Sequence, residues 1–123
     1  MMKSESGKSI TSVCDFNYLS EMMSRKKQLI IEIMDIFLDQ VPIELRAIND
    51  AIAKIDYSII KNFAHKMKST VSIMGISLLT PILNEMEELG SRAVNIEKIK
   101  ELNQQLNLIC EQAIEEIEKE KLA

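Results

Sequence analysis

Met34, Leu38, Val41, Leu45, Ile48, Ile52 and Ile55 are separated by steps that alternate between four and three residues. An α-helix turns by about 100° per residue, so this spacing draws one apolar line along one helical face. The run predicts a helix over residues 24–55. Pro42 falls inside it. Proline removes a backbone donor and crowds the preceding turn, so a kink or a break is expected there. The register passes through Pro42 without a slip, which favours one long kinked helix over two unrelated ones.

The rest of the chain reads as partners for that helix. Asp15 is placed to cap a short helix running to Met23, with Phe16, Leu19 and Met22 or Met23 as its apolar side. It is expected to lie across one end of the main fold. Asp56 is placed to cap the next helix, which should end near Gly75. Ser77 or Thr80 would cap the following one, with Pro81 in its first turn. Leu78, Leu79, Ile82, Leu83, Met86 and Leu89 form its apolar side, and Gly90 is expected to stop it. Asn95 would cap a final helix to Lys119, with Ile99, Leu102, Leu106, Ile109, Ala113 and Ile117 as its stripe.

Only three Gly and two Pro occur in 123 residues, which suits long helices with few turns. The sequence shows no strand alternation, internal repeat or low-complexity linker. The connections at 55–56, 75–77 and 90–95 are too short for crossovers. The expected fold is all-α: an antiparallel up-and-down four-helix bundle with a short N-terminal helix. Residues 1–14 are expected to be a flexible tail and residues 15–123 the domain. With so short a leader the domain is expected to stand alone.

Composition narrows the function classes. A net charge of −4 argues against nucleic acid, which calls for a basic surface. Cys14 and Cys110 are far apart and lack metal-type spacing. The N-terminus has no signal-peptide core. The most apolar segment, 29–38, carries Glu32 and Asp35 and is too short to span a bilayer. A reduced, cytoplasmic and monomeric chain without membrane insertion is expected. No Gly-rich phosphate loop is present, so ATP binding by this chain is not expected. The Glu-x-x-His pairs of a di-iron bundle are also missing, because Asn62 stands three residues before the single histidine.

That histidine, His65, lies within Phe63–Gly75. On a helical projection Ser58, Lys61, Asn62, Lys68, Ser69 and Ser72 fall within roughly 60° of it. Ile60, Phe63, Met67, Val71 and Met74 fall on the opposite face. The imidazole therefore sits mid-way across a polar face, with lysines along one edge and hydroxyls along the other. A neutral imidazole nitrogen is a good nucleophile near neutral pH. In phosphoryl transfer negative charge spreads over equatorial oxygens, which Lys68 at i+3 and Lys61 at i−4 are placed to stabilise. Ser69 and Ser72 leave little bulk beside the ring, so a partner protein has room to approach. The plain alternative is a solvated surface histidine.

The segment AHKMKSTVSIMGISLLTPILNEMEELG resembles the histidine-containing phosphotransfer (HPt) domains of phosphorelays. His65, Lys68, Gly75, Leu78 or Leu79, and Met86-Glu87 match that family's pattern. The upstream FLDQVPIELRAINDAIAKIDYSIIKNFAHKMK resembles the family's approach to the histidine, including a Pro in the long helix. The resemblance covers residues 24–90. It implies that His65 is the phosphoacceptor, that Lys68 supports the phosphoryl group and that Glu87 hydrogen-bonds the histidine. Ser69 stands where the family carries Gly. The implied partners are receiver domains of a hybrid sensor histidine kinase and a response regulator. The implied docking surface centres on the His65 helix and part of the Glu87 helix, with Lys61, Lys66, Ser69, Ser72, Ile73 and Ile76. No cofactor is expected on this chain, and Mg²⁺ is expected in the partner's receiver domain. The competing reading is a non-catalytic helical adaptor. An enzyme with a bundle-core site is disfavoured, because the core positions read as apolar.

Overall fold

A computed structural model describes residues 12–122. Its helices are α1 (Phe16–Met22), α2 (Lys27–Ala53), α3 (Tyr57–Ile73), α4 (Leu79–Arg92) and α5 (Ile96–Leu122). Helices α2 to α5 pack as a ring, each against its two neighbours, and α1 lies against α2 and α3. No strand occurs among the described residues. It forms the expected up-and-down bundle with a short extra helix.

Helix α2 runs unbroken across Pro42, which falls inside it. Met34, Val41, Leu45, Ile48 and Ile52 are buried as the stripe requires. Phe37 joins them and is more fully buried than Leu38. Asp15, Asp56 and Asn95 accept from backbone N–H groups at the starts of α1, α3 and α5, as N-caps do. Helix α4 starts without a side-chain cap, so neither Ser77 nor Thr80 has the expected role. In α5, Cys110 is in the core and Ile109 only borders it.

The helix ends account for most departures from the helical projection. Each of α1 to α4 ends with the paired backbone bonds of a Schellman turn. In α3, Gly75 N–H donates to the Ser72 carbonyl and Ile76 N–H to the Val71 carbonyl. Gly75 has φ +70°, and the reversal folds Ile76 back against the core, where it is fully buried. Ile76 is therefore not on an accessible docking surface. Ser24, Ile55 and Ala93 take the same left-handed role at the other ends. That turn leaves Ile55 exposed rather than in the stripe, and Leu78, just ahead of α4, is exposed too.

Gly90 does not end α4, which continues to Arg92. It is buried against α3 instead. A Cβ there would lie 3.1 Å from Lys61 N and Tyr57 O and 3.2 Å from Lys61 Cα. The backbones of α3 and α4 approach closely because this position carries no side chain.

Val13 and Cys14, read from sequence as part of a flexible tail over residues 1–14, are held against the bundle. Residues 1–11 lie outside the described residues. Cys14 is buried, and the N–H groups of Val13 and Cys14 donate to the Glu116 carboxylate at 2.8 and 2.9 Å. The core is also not wholly apolar. Glu44 is buried, and its Oε1 has no hydrogen-bond partner among the described residues. Burial pushes its carboxyl up, with Lys66 Nζ, 3.9 Å from Oε2, acting against that shift.

Gly90→Ala should be destabilising, although alanine favours a helix over glycine by about 1 kcal/mol. Its methyl meets backbone atoms that cannot rotate away, and overpacking of this kind costs about 1–3 kcal/mol. Urea unfolding should show a lower midpoint. An unchanged or raised midpoint would mean that the α3–α4 approach does not depend on glycine.

Candidate functional site

Asp56 starts α3, and its buried stripe of Ile60, Ala64, Met67 and Val71 turns the opposite face outward. That face carries His65, whose side chain is 68 % exposed. One turn from Gly90, α4 presents Glu87 to the ring. Glu87 Oε2 lies 2.7 Å from His65 Nδ1, and Oε1 lies 2.6 Å from Lys68 Nζ. One carboxylate thus holds both the imidazole and the lysine.

The hydrogen bond from Lys68, reinforced by that from His65, draws the Glu87 carboxyl below the usual carboxylate range against a partial desolvation. Glu87 is therefore ionised at neutral pH. An ionised carboxylate only accepts hydrogen bonds, so Nδ1 carries the proton and donates it. The lone pair of the neutral ring is then on Nε2.

Three faces surround the ring. On the α4 side, Lys61, Asn62, His65 and Glu87 line a shallow recess. A second recess, lined by Lys61, Asn84, Glu87, Glu88, Ser91 and Arg92, shares Lys61 and Glu87 with it. On the α2 side, Lys66 does not approach His65. Its ammonium lies 5.7 Å from the Phe63 ring centroid and faces Glu44. Further along, Ser69, Thr70 and Ile73 line a groove with Ile33, Ile36 and Phe37 of α2. Toward the C-terminal end of α3, Ser72 borders a cleft with Asp15, Tyr18, Gly75, Ser77 and Thr80.

Of the residues singled out from sequence, His65, Lys68 and Glu87 come together and Lys61 borders them. Ser69 and Ser72 are exposed on the same helix, Ile73 is half-buried and Ile76 is inside. The exposed apolar residues of the adjoining α2 flank were not singled out from sequence. Their signal was present: Leu29, Ile36 and Ile43 recur every seven residues off the buried stripe, and all three are exposed. Among the described residues no group of three or more His, Cys, Asp and Glu is placed to hold a metal ion. No described helix is long and apolar enough to cross a membrane.

A comparison with protein families matches residues 32–119 to the Hpt domain. The chain belongs to the Hpt domain family. No curated protein sequence matches it. Among solved structures, it is similar to histidine-containing phosphotransfer protein B (HptB) from Pseudomonas aeruginosa PAO1. The TM-score is 0.81 at 21 % identity, over 89 % of this chain and 95 % of that one. At that identity the likeness concerns the fold. The Hpt match takes in α3, α4 and most of α2 and α5, and leaves out residues 12–22 with α1.

The ion pair of this Hpt domain has a testable titration. The depressed Glu87 carboxyl adds stability above its unfolded-state pKa, and that stability is lost as pH falls through the folded value. An NMR titration of the Glu87 side-chain carboxyl carbon should therefore give a midpoint below 4.5. In Lys68→Met the midpoint should move up. A wild-type midpoint at or above 4.5 would contradict the bridging geometry.

Proposed function

We propose that His65 accepts a phosphoryl group from a receiver-domain aspartate and passes it to the aspartate of another receiver domain. The observation that carries this is the Glu87 bridge. It directs the Nδ1 proton inward, leaves Nε2 as the outward nucleophile and keeps a lysine beside it.

In the forward step the Nε2 lone pair attacks phosphorus of the acyl phosphate. The P–N bond forms, the P–O bond to the aspartate breaks, and the electron pair leaves with the carboxylate. The ring becomes a phosphoimidazolium, and its Nδ1–H still donates to Glu87. Lys68, at the edge of the site, is near enough to offset charge on the transferring oxygens. Return to a second aspartate reverses these steps. Mg²⁺ would be held by the partner's acidic pocket, next to its aspartate.

Docking is assigned to the exposed face of α3 and the adjoining flank of α2. Ile36 is 52 % exposed and Ile43 60 %, and the Ile33–Ile36–Ile73 groove adjoins Ser69. Burying these side chains would supply affinity. The α4 flank beside Glu87 offers mainly charged and amide groups and less apolar surface. Ser69, one turn from His65, is small enough to let a partner reach the ring.

Incubation with a phosphorylated receiver domain and Mg²⁺ should place an acid-labile, base-stable label on the chain. His65→Gln should abolish the label without changing helicity. Ile36→Asp should slow labelling at least tenfold at limiting partner, yet leave the rate at saturation near wild type. Label retained in His65→Gln would refute the assignment of the acceptor. Partner binding with no label would favour the adaptor reading. An unaffected Ile36→Asp would remove α2 from the docking face.

A further inference from the structure

Residues 12–22 are attached to the bundle in an unusual way. At one end a single carboxylate does most of the holding. Glu116 Oε2 accepts from Val13 N–H at 2.8 Å and Oε1 from Cys14 N–H at 2.9 Å. Ser12 Oγ lies 3.4 Å from Oε1, and Gln112 Nε2 steadies Oε2 at 3.0 Å. At the other end Ser24 and Arg25 both lie in the left-handed region, with φ of 54° and 58°. Neither is glycine, and two such residues in succession store strain in the joint to α2.

Between these ends the segment is held mainly by Leu19, with Phe16 half-buried beside the core. Helix α1 has seven residues, too few to persist without support, and buries only Leu19 fully. Asp15 N–H donates to the Met74 carbonyl at 3.1 Å, across Gly75. A Cβ on Gly75 would lie 2.6 Å from Asp15 Cβ, so the segment seats flat only on a bare glycine. Helices α2 to α5 close their ring without these residues.

We infer that residues 12–22 form a strap that opens as a unit, without unfolding of the bundle, and that the Glu116 carboxylate is the latch that holds it shut. Opening releases the strained joint at Ser24 and Arg25 and uncovers the Cys14 thiol. It also removes Asp15 and Tyr18 from the cleft they share with Ser72, on the same helix as His65. The strap thereby alters the surface at one end of that helix. The inference does not depend on the phosphotransfer reading.

The two cysteines report opening separately. Cys14 belongs to the strap and faces the core, and its thiol is pushed up by burial and then by the Glu116 charge. Cys110 lies within the bundle core, and burial pushes its thiol up to about 12. Both are poorly reactive while covered, because the thiolate is the nucleophile. Iodoacetamide alkylation of the full chain, read by peptide mass spectrometry, distinguishes them. In wild type Cys14 should react faster than Cys110, and low urea should accelerate Cys110 more steeply. Glu116→Gln presents only one acceptor oxygen to the two N–H groups. It should speed Cys14 alkylation about tenfold or more, as expected for a lost charge-assisted hydrogen bond, with the Cys110 rate unchanged. Equal wild-type rates with the same urea dependence would overturn the unit opening. An unchanged Cys14 rate in Glu116→Gln, or a parallel rise at both thiols, would overturn the latch.

Discussion

The close approach of α3 and α4 at Gly90 is the constraint on which the site depends. With only hydrogens on that Cα, α4 lies against the backbone at Tyr57 and Lys61. The two helices then run antiparallel, so the residue one turn before Gly90 faces the residue one turn after Lys61. These are Glu87 and His65, 2.7 Å apart at Oε2 and Nδ1. Any side chain at position 90 that widened the gap would lengthen this contact first. A packing feature on the buried side of α4 thus sets the tautomer of a ring on the exposed side of α3.

Around that pair the surface is divided by chemistry. The α4 flank is amide and charged, and the α2 flank is apolar, with Ile33, Ile36 and Ile73 around a groove. Lys68 belongs to the first flank through Glu87, whereas Lys66 is drawn to the second by Phe63 and Glu44. Two lysines that closely follow one histidine in sequence therefore serve different surroundings. The first shares the Glu87 carboxylate with His65. The second reaches a buried carboxyl between the helices, where its attraction offsets part of the cost of burying Glu44.

Much of this was legible in the sequence. The four-and-three spacing identified the buried line of α2, and Asp15, Asp56 and Asn95 marked three helix starts by their capping chemistry. The polar face around His65, with Lys68 one turn on, followed from the same periodicity, and Glu87 from the family resemblance. What was not legible lay where periodicity stops applying. Ile76 was read as a docking residue from its place at the end of the His65 helix, but the Schellman turn at Gly75 put it inside. Ser24, Ile55 and Ala93 end helices without glycine, so composition gave no marker for them. Gly90 read as a stop but acts as a packing surface, a distinction that depends on what lies opposite. Glu44 sits at an interior position that its residue type disfavours, and only the packed structure locates it.

If Glu87 commits Nδ1, Nε2 is the nitrogen left to react. Phosphorus–proton correlation NMR on the phosphorylated protein tests it at the level of the bond. Nε2 is bonded to both ring carbons that carry hydrogen, whereas Nδ1 is bonded to only one of them. A phosphoryl group on Nε2 therefore couples to both Hδ2 and Hε1 of His65. Both correlations are expected. A phosphorus signal coupled to Hε1 alone would place the group on Nδ1 and contradict that expectation.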